Sequence, residues 1–442
     1  MGIIGLILAF AVLIYLIIRR DWSILTATIP ASLIIILFDQ MNVWTAFSSF
    51  YSAGVGSGMA SYFLLLVFGA LFGHMMGESG CALKIAHILI KLLGKERVGL
   101  TIFILTVVMV YGGISALVVV FTVGPIGLVM TKEAGLPRRF LFAAIIGGAG
   151  SLAMTSLPAT PSLTNLIPTT YLGTTAMAAP VLGMISSVLQ FILIVLYLKF
   201  IEKRYKKLGM GFEDVEGAKV FSMDDFSQEG LPNGAISFLP VVILIGFIVF
   251  LSTAIGGSTA AAVFGSALAC IVIYALNYKR FRESLGRTVV AGAQGGVTAS
   301  ANLGAIVGFG VVVKNSSSFV LISDFCESLS TGGVIGTLFA LFVAVSLFVG
   351  VCGSAAGGLE IFWEHLGERF VATGINIDVL HRISSITAGG FDSVPHNSAY
   401  PIFNVVLGTK FGHAYPHAVV TTLIIPVIAA FVCIFCAAIG IC

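Results

Sequence analysis

Two ionisable side chains, Asp392 and His396, lie four residues apart in an otherwise apolar part of the sequence. Acids and imidazoles inside membrane segments are costly to bury and usually mark a binding or proton-transfer site. Both groups can exchange a proton near neutral pH when their surroundings favour it. We therefore predict that this pair takes part in proton coupling. A structural alternative stays open, in which the carboxylate caps a half-helix and the imidazole donates to a backbone carbonyl.

A third candidate for proton coupling, Glu360, follows a glycine-rich stretch in the same half of the chain. Its neighbours Glu364 and Glu368 are also acidic, so this segment is expected to reach the outer solvent soon afterwards. His381 and Arg382 lie early in a later apolar segment. Because long polar side chains in such positions can extend to the membrane surface, we expect both of them there.

Small polar residues accompany the ionisable groups in four short stretches. A hydroxyl-bearing anion would find hydrogen-bond partners there without any arginine, because the N–H groups at the start of a helix also attract a carboxylate. In the alternative interpretation, the same side chains satisfy interrupted backbone and let helices pack closely. The residues predicted to bind the substrate are Gly113, Ser115, Thr155, Ser156, Thr160, Ser162, Asn165, Gly353, Ser354, Ser393, His396, Asn397 and Asn404.

These four stretches interrupt segments that would otherwise be continuous apolar helices. They comprise two glycine-rich tips, at 111–115 and 350–358, and two proline-containing stretches, at 156–165 and 392–404. Proline breaks a helix because it lacks an N–H group and its ring clashes with the preceding turn. The prolines concerned are Pro158, Pro161, Pro395 and Pro401. Since irregular backbone survives in hydrocarbon only where it is packed in protein or lines a wet cavity, the breaks are predicted to form the substrate site.

The composition places these stretches in a membrane protein. Hydrophobic residues make up 58% of the chain and charged residues 10%, with a mean hydropathy of +1.07, which excludes an ordinary soluble protein. Apolar runs long enough to cross a bilayer recur, whereas the alternation typical of a membrane β-barrel is absent. We predict an all-α integral membrane protein. Since no phosphate-binding, dinucleotide-binding or zinc-ligand motif is present, we expect no enzyme activity, no metal or other cofactor and no nucleic-acid partner.

Basic residues gather between the apolar runs and predict the sidedness of the chain. The clusters lie at 19–20, 84–97, 132–139, 199–219, 279–287 and 410. By the positive-inside rule they face the cytoplasm, so both termini are predicted outside a cytoplasmic (inner) membrane. The apolar segment at the N-terminus is predicted to be the first span and not a cleaved signal.

Two apolar segments, 98–131 and 332–366, are each flanked by regions predicted to lie on one side of the membrane. Divided at its glycines, the first has arms of about 14 residues, roughly 21 Å long, which is short of the ~30 Å hydrocarbon core. Both segments are therefore predicted to be re-entrant helical hairpins.

The two halves of the chain are similar to each other. When Gly113 is aligned with Gly350, the sequence SLP at 156–158 falls on SVP at 393–395. Each half contains five predicted crossings, the fourth of them broken, and one hairpin. Because five is an odd number, the halves are predicted to have opposite orientations in the membrane, as in an inverted repeat. The polar segment 201–235 between them is predicted to be a cytoplasmic linker.

The sequence contains four distinctive blocks: GISALVVVF at 113–121, MTSLPATP at 154–161, IPTTYLGT at 167–174 and GGFDSVPHN at 389–397. These blocks resemble the gluconate:proton symporter family of the ion-transporter superfamily, and the resemblance covers nearly the whole chain. It implies a homodimer in which a transport domain moves against a scaffold domain in elevator fashion. The scaffold would comprise 1–97 and 236–331, and the transport domain 98–200 and 332–442.

The resemblance also implies a class of substrate. Members of the family take up small hydroxy or amino acids, such as gluconate, 3-hydroxybutyrate and D-serine, together with protons. The blocks around Pro158 and Pro395 are most similar to those of members that carry short hydroxy acids. The chain departs from the family pattern at Phe391 and Val394, where leucines are typical, and at the bulkier Tyr400, so the size of the pocket stays open.

The sequence therefore predicts a secondary transporter, namely a proton-coupled symporter of a small hydroxycarboxylate. A sodium-coupled carboxylate symporter and an anion exchanger are alternatives, since hydroxyls and carbonyls at hairpin tips can also bind sodium. A passive channel is less consistent with the sequence, because its polar residues concentrate at the breaks instead of forming a continuous stripe. The predicted partners are a small organic anion, the lipid bilayer and a second copy of the chain.

Overall fold

The computed structural model describes residues 2–20, 22–111, 116–160, 162–215, 231–255, 258–281, 284–329, 333–397 and 399–441. Within these residues the regular secondary structure is helical, apart from one isolated bridge residue, Val215. The prediction of an all-α protein is confirmed.

The described helices before residue 216 are α1 (Gly2–Arg20), α2 (Ile24–Phe38), α3 (43–78), α4 (Cys81–Leu93), α5 (Val98–Tyr111), α6 (Ala116–Glu133), α7 (Arg138–Ser156), α8 (Leu163–Leu172) and α9 (Pro180–Lys207). Parts of α3 and α7, at Ala46–Tyr51 and Gly148–Ser156, have the wider π-helical winding. The second of these π segments leads directly into a helix break, and such local winding is frequent at functional sites.

The described helices after residue 230 are α10 (Gly234–Ile255), α11 (Ser258–Leu276), α12 (Leu285–Lys314), α13 (Ser317–Ser328), α14 (Gly333–Cys352), α15 (Ala355–Val371), α16 (Ile377–Phe391), α17 (Ala399–Leu407) and α18 (Phe411–Ala438), with one further short turn at Tyr278–Phe281. The order of long and short helices repeats that of the first set. In both sets a pair of connected helices, α5–α6 or α14–α15, precedes a helix that is followed by a short one, α7–α8 or α16–α17.

Several described helices have the length and hydropathy of membrane spans. Five qualify alone, namely α7, α9, α12, α14 and α18. A sixth results if Leu66–Glu78 and Cys81–Leu93, which are bent by 69°, are counted as one span. The chain is therefore a multi-pass membrane protein. The prediction of five crossings in each half stays a prediction.

The first proline-containing stretch separates α7 from α8. Helix α7 ends at Ser156, and Leu157 has extended backbone, with ψ near 125°. The position before a proline disfavours helical backbone, and Pro158 follows directly, so the helix stops where the sequence predicts. Pro161 lies outside the described residues.

The second proline-containing stretch separates α16 from α17. Pro395 lies between the two helices, as predicted. Pro401, in contrast, lies in the first turn of α17, where its missing N–H group is not needed. The prediction that Pro401 interrupts the helix is wrong for this reason.

The two predicted hairpins correspond to α5–α6 and α14–α15. The first tip, which includes Gly113 and Ser115, lies outside the described residues. The second turns at Gly353 and Ser354, and α15 continues to Val371, beyond the predicted end at residue 366. Helix α5 has 14 residues, but α14 has 20, roughly 30 Å at the helical rise. The predicted arm length of about 14 residues in the first hairpin therefore holds for α5 but not for the described part of its other arm, α6, which has 18 residues and is roughly 27 Å long.

The start of the predicted linker is packed against the helical bundle. Residues 201–207 continue α9, and Glu213 accepts hydrogen bonds from the backbone N–H of Arg138 and from the Arg139 guanidinium. Asp214 lies 3.5 Å from the Lys132 ammonium group. These contacts hold 208–215 beside the connection between α6 and α7.

Helix α16 packs on α14 and α15 of its own half and on α7, α8 and α18. Every residue from Val379 to Gly390 is buried. Gly389 permits the closest approach to α7, since a Cβ at this position would lie 2.6 Å from Thr155 Cγ2. The two broken helices are thus in direct contact at their breaks.

Candidate functional site

Hydroxyl side chains within the first break bond to backbone carbonyls that the break leaves without helical partners. The hydroxyl of Thr160 donates to the carbonyl of Ala153 at 2.7 Å. The hydroxyls of Ser162 and Thr164 both donate to the carbonyl of Met154. These carbonyls belong to the last turn of α7 and have lost their helical partners, so the hydroxyls satisfy backbone that would otherwise be unpaired in the membrane.

Asn165, a predicted binding residue at the start of α8, uses its complete hydrogen-bonding capacity inside the protein. Its amide group donates to the carbonyls of Thr160 and Ala176, at 2.9 and 3.0 Å. Its Oδ1 accepts from His381 Nε2 and Arg382 Nη1, at 3.1 and 3.0 Å. Because an asparagine side chain offers two donors and two acceptor positions, none is left for a substrate in this conformation.

Arg382 and His381 extend this network between the two halves of the chain. Arg382 Nε donates to the carbonyl of Ala178, and Nη2 donates to Ala176 and Ala178. His381 Nδ1 lies 2.7 Å from the Thr174 hydroxyl, which donates to it because Nε2 is the donor towards Asn165. Both side chains have 0% exposure. The expectation that they reach the outer surface is wrong, because α16 packs directly on the α8–α9 connection.

Each break also has a serine bonded to the long helix that comes after the short one, α9 in the first half and α18 in the second. Ser156 lies 2.8 Å from Ser186 of α9, and both hydroxyls accept from the amide of Gln190. In the second half, the Ser393 hydroxyl donates to Thr422 of α18 at 2.6 Å. Ser156 and Ser393 were predicted as binding residues. Their partners were not, because single hydroxyls and amides in apolar helices carry no distinctive pattern.

At the second break, the side chain of Asp392 connects the break to the second hairpin tip. Asp392 Oδ1 accepts the N–H of Ala355, the first residue of α15, at 2.9 Å. It also accepts from the Asn397 amide at 2.5 Å, and this amide donates to the Asp392 carbonyl as well. A carboxylate in this position satisfies a free N–H group and lies at the positive end of the helix dipole. In this conformation Asp392 therefore caps the start of α15, which is the structural alternative that the sequence left open.

His396 occupies an enclosed position beside the same tip. Its Nε2 lies 3.3 Å from the carbonyl of Val351, to which it donates, and a Cβ at Gly353 would lie 2.5 Å from its ring. Gly353 has φ near +61°, a backbone conformation that favours glycine. Both this conformation and the lack of room for a Cβ beside the His396 ring require glycine at this position. The ring of Phe10 stacks on the imidazole with centroids 4.8 Å apart, and Phe309 makes an edge contact at 5.6 Å.

The remaining predicted residues contribute less to the contacts at the breaks. Ser354 caps α15 by accepting the N–H of Gly357. Thr155 donates to the Ser151 carbonyl one turn earlier. Asn404 accepts from the Thr409 hydroxyl at the end of α17. Glu360 is exposed on α15, and the described hydrogen bonds at the tip do not include it.

We expect Gly389→Ala to lower the free energy of unfolding by about 1–3 kcal/mol, because the added Cβ would overlap the methyl group of Thr155. Thr155→Ser removes that methyl group and is expected to restore part of the loss in the double variant. Thermal unfolding of the purified proteins measures both effects. Losses that simply add in the double variant would contradict the close contact.

A cavity of about 170 Å³ lies away from the breaks, between α3, α4 and α12 on one side and α6, α17 and the start of α7 on the other. Its described polar lining consists of His74, Glu78 and Arg138, and most other lining residues are apolar. Arg138 belongs to a cluster predicted to face the cytoplasm. The cavity therefore lies towards the predicted cytoplasmic side.

The structure brings most predicted site residues into two adjoining groups. Thr155, Ser156, Thr160, Ser162 and Asn165 surround the first break, and Gly353, Ser354, Asp392, Ser393, His396 and Asn397 surround the second break with its hairpin tip. In the described part of the chain, neither Asp392 nor Arg382 forms an ion pair. No three potential metal ligands cluster among the described residues. The arrangement thus places a buried arginine, Arg382, and a half-buried acid, Asp392, at neighbouring helix breaks without pairing them.

The chain is similar to a family of permeases and to individual proteins of known sequence or structure. A family model described as GntP family permease matches residues 1–264. The chain is 29% identical over 464 residues to the uncharacterized transporter YxjC of Bacillus subtilis, covering 96% of either protein. It is 26% identical over 250 residues to an uncharacterized permease of Haemophilus influenzae, covering 55% of this chain and 49% of that one. The solved YdaH transporter of Alcanivorax borkumensis aligns with a TM-score of 0.42 and 12% identity, over 94% of this chain and 97% of that chain.

Proposed function

Since the chain belongs to the GntP family of permeases, we propose that it is a proton-coupled symporter of a small hydroxycarboxylate. The predicted family is thereby confirmed, and the protein is a membrane permease and not an enzyme. The proposal adds the coupling ion, the class of substrate and the mechanism. The substrate we propose is a short hydroxy acid such as 3-hydroxybutyrate, or a longer one such as gluconate.

The observation that carries the proposal is the position of the Asp392 carboxylate at the start of α15. A helix start attracts anions through its free N–H groups and its dipole. A substrate carboxylate would therefore compete with Asp392 for the N–H of Ala355. When Asp392 takes up a proton, it loses its charge and its hold on this N–H group weakens. The substrate anion then gains the vacated N–H group.

This competition couples the two ligands. If protonation of Asp392 favours anion binding, the bound anion must favour protonation by the same factor, since linkage between two binding sites is reciprocal. The protein would load the proton and the anion together and release them together. Neither ligand would be carried efficiently alone, which is the requirement for symport.

The polar groups near Asp392 suggest how a hydroxy acid would be oriented. The Ser354 hydroxyl lies at the same helix start, and the Asn397 amide contacts Asp392 directly. Both can bond a substrate hydroxyl if Asp392 is displaced. Asn165 contributes differently, because its amide is fully engaged in holding the first break in place. We assign Asn165 the role of a positioning residue.

The proposed mechanism is alternating access between two parts of the chain. The matching order of helices, and the serine bonds from each break to α9 or α18, the long helix after the short one, support an inverted repeat. The scaffold would comprise 1–97 and 236–331, and the transport domain 98–200 and 332–442. The cavity beside His74 lies between elements of these two parts, as an inner vestibule would. A homodimer in the cytoplasmic membrane with both termini outside completes the proposal.

Uptake into proteoliposomes tests this function. We expect labelled 3-hydroxybutyrate or gluconate to accumulate when only a pH gradient, acid outside, is applied without sodium. With one proton per monovalent anion, one pH unit supports about tenfold accumulation. Collapse of the gradient by a protonophore should abolish it.

The same assay separates the alternatives. Accumulation that needs a sodium gradient would establish sodium coupling instead. Uptake that occurs only against an internal anion would indicate an exchanger. If no short hydroxy acid responds to the pH gradient, the proposed symport is refuted.

A further inference from the structure

The imidazole of His396 is enclosed by side chains from parts of the chain that are far apart in sequence. Phe10 belongs to α1 and Phe309 to α12, whereas His396 belongs to the break after α16. The two phenyl rings also contact each other, with centroids 5.7 Å apart. Gly353 and the carbonyl of Val351 also lie against the imidazole. His396 is 1% exposed, so these groups exclude water from it.

One nitrogen of this imidazole lacks a hydrogen-bond partner. His396 Nε2 donates to Val351, but Nδ1 is buried without a partner among the described residues. An orphaned polar atom in a buried position is unfavourable and calls for an explanation. Nδ1 is an acceptor in this tautomer, and it is the position at which the ring would gain a proton. The structure therefore holds a proton acceptor in an apolar enclosure.

We propose that Phe10 and Phe309 form a gate that shields His396 from water, and that this gate must open before His396 can exchange a proton. Both phenylalanines lie in the proposed scaffold, and His396 lies in the proposed transport domain. A displacement of one part against the other would separate the rings. The stacked state then corresponds to a closed conformation in which His396 cannot gain or lose its proton.

The physical reason is the cost of charging a ring between apolar groups. A charge that leaves water without a counter-charge is strongly unfavourable, and one carbonyl contact at 3.3 Å compensates little of that cost. Asp392, four residues earlier, is the nearest acid in sequence, but its Oδ1 is directed to Ala355 and Asn397. Proton exchange at His396 is therefore coupled to opening of the gate. This inference deepens the proposed symport and rests on it for its role in coupling.

Chemical labelling of His396 tests the gate without any transport assay. Diethyl pyrocarbonate reacts with unprotonated imidazoles that water can reach, and mass spectrometry locates each adduct. In the unmodified protein, we expect the exposed His365 and His413 to react readily and His396 to react slowly. In Phe10→Ala, His396 should react about tenfold faster or more, because labelling of an enclosed group tracks the fraction of open molecules.

Two further variants keep the test decisive. Phe10→Leu retains an apolar side chain and a folded protein but removes the stacked ring, so it should raise the labelling rate of His396 to an intermediate value. Phe264→Ala removes a phenylalanine of α11 that is 61% exposed, and it should leave the rate unchanged. Slow labelling of His381, which is fully buried, shows that a variant is folded, and unaltered labelling of His365 and His413 shows that the reagent is equally active in each sample.

Rapid labelling of His396 in the unmodified protein, or equal rates in all variants, would overturn the gate. Faster labelling of His396 in Phe10→Ala, together with an absence of proton-driven uptake by the unmodified protein, would uphold the gate and refute the symport. The two proposals can therefore fail separately.

Discussion

Asp392→Asn is expected to abolish proton-driven accumulation of substrate while leaving substrate exchange intact. Asparagine has the size of the protonated acid and can still accept the N–H of Ala355, but it cannot take up or release a proton. A pH gradient of one unit, which supports about tenfold accumulation with coupling, should then give no accumulation. Exchange of labelled for unlabelled substrate across the membrane, which needs no net proton movement, should continue.

Proteoliposomes containing Glu364→Gln provide the matched control. Glu364 is an exposed acid on α15, the same helix that Asp392 caps, and its replacement should leave both activities unchanged. Substrate binding to Asp392→Asn, measured separately, should depend less on pH than binding to the unmodified protein, because the variant has no carboxyl group to protonate at this position. Retained uphill uptake by Asp392→Asn would remove this residue from the coupling role.

Arg382→Gln is expected to cause the largest loss of stability. The guanidinium donates to three acceptors, the Ala176 and Ala178 carbonyls and Asn165 Oδ1, and it is fully buried. Each buried acceptor left unpaired costs about 1–3 kcal/mol, so a total loss of about 3 kcal/mol or more is expected. Arg382→Lys should recover only part of it, because a single ammonium group cannot reproduce the planar fork.

Thermal unfolding in detergent measures this loss. Arg369→Gln is the control, since this exposed arginine makes one described bond, to the Leu329 carbonyl, and its removal should be nearly neutral. If Arg382→Gln unfolds at the same temperature as the unmodified protein, the network around Asn165 does not stabilise the fold.

A second arginine, Arg138, makes an analogous contact from the first half of the chain to the second. Arg138, at the start of α7, donates to the carbonyl of Leu407, the last residue of α17. Arg382, one turn into α16, donates to the connection that follows α8. Each arginine thus connects its own helix to the short helix of the other half of the chain or to the connection that follows it. The sequence alignment that pairs Gly113 with Gly350 does not pair these arginines, so the similarity is visible only in three dimensions.

The sequence was sufficient to locate the breaks in the described helices. Pro158 and Pro395 each lie within about one turn of the end of a helix. Proline ends helices in this way in any fold, because it lacks a backbone N–H group. Pro401 shows the limit of that argument, because its effect depends on whether the helix has already begun. The second hairpin tip was equally predictable, since Gly353 adopts a backbone conformation that favours glycine.

The roles of the polar residues at the breaks depended on the tertiary structure. Asn165 and Arg382 are 217 residues apart, and His396 meets Phe10 across almost the entire chain. From the sequence, Arg382 was expected at the membrane surface, and Asn165 was expected to contact substrate. Their contact could not be foreseen, because it requires α16 to pack against the α8–α9 connection.

By itself, the amino-acid sequence determined the all-α membrane fold, the family and the places where helices stop, because composition, hydropathy and the local effects of proline and glycine act over short distances. The tertiary structure alone decided which polar groups bond to each other, including the hydrogen bond between Asp392 and the first N–H group of α15. Inside a membrane every polar group must find a partner within the protein, and those partners come from segments that only folding brings together.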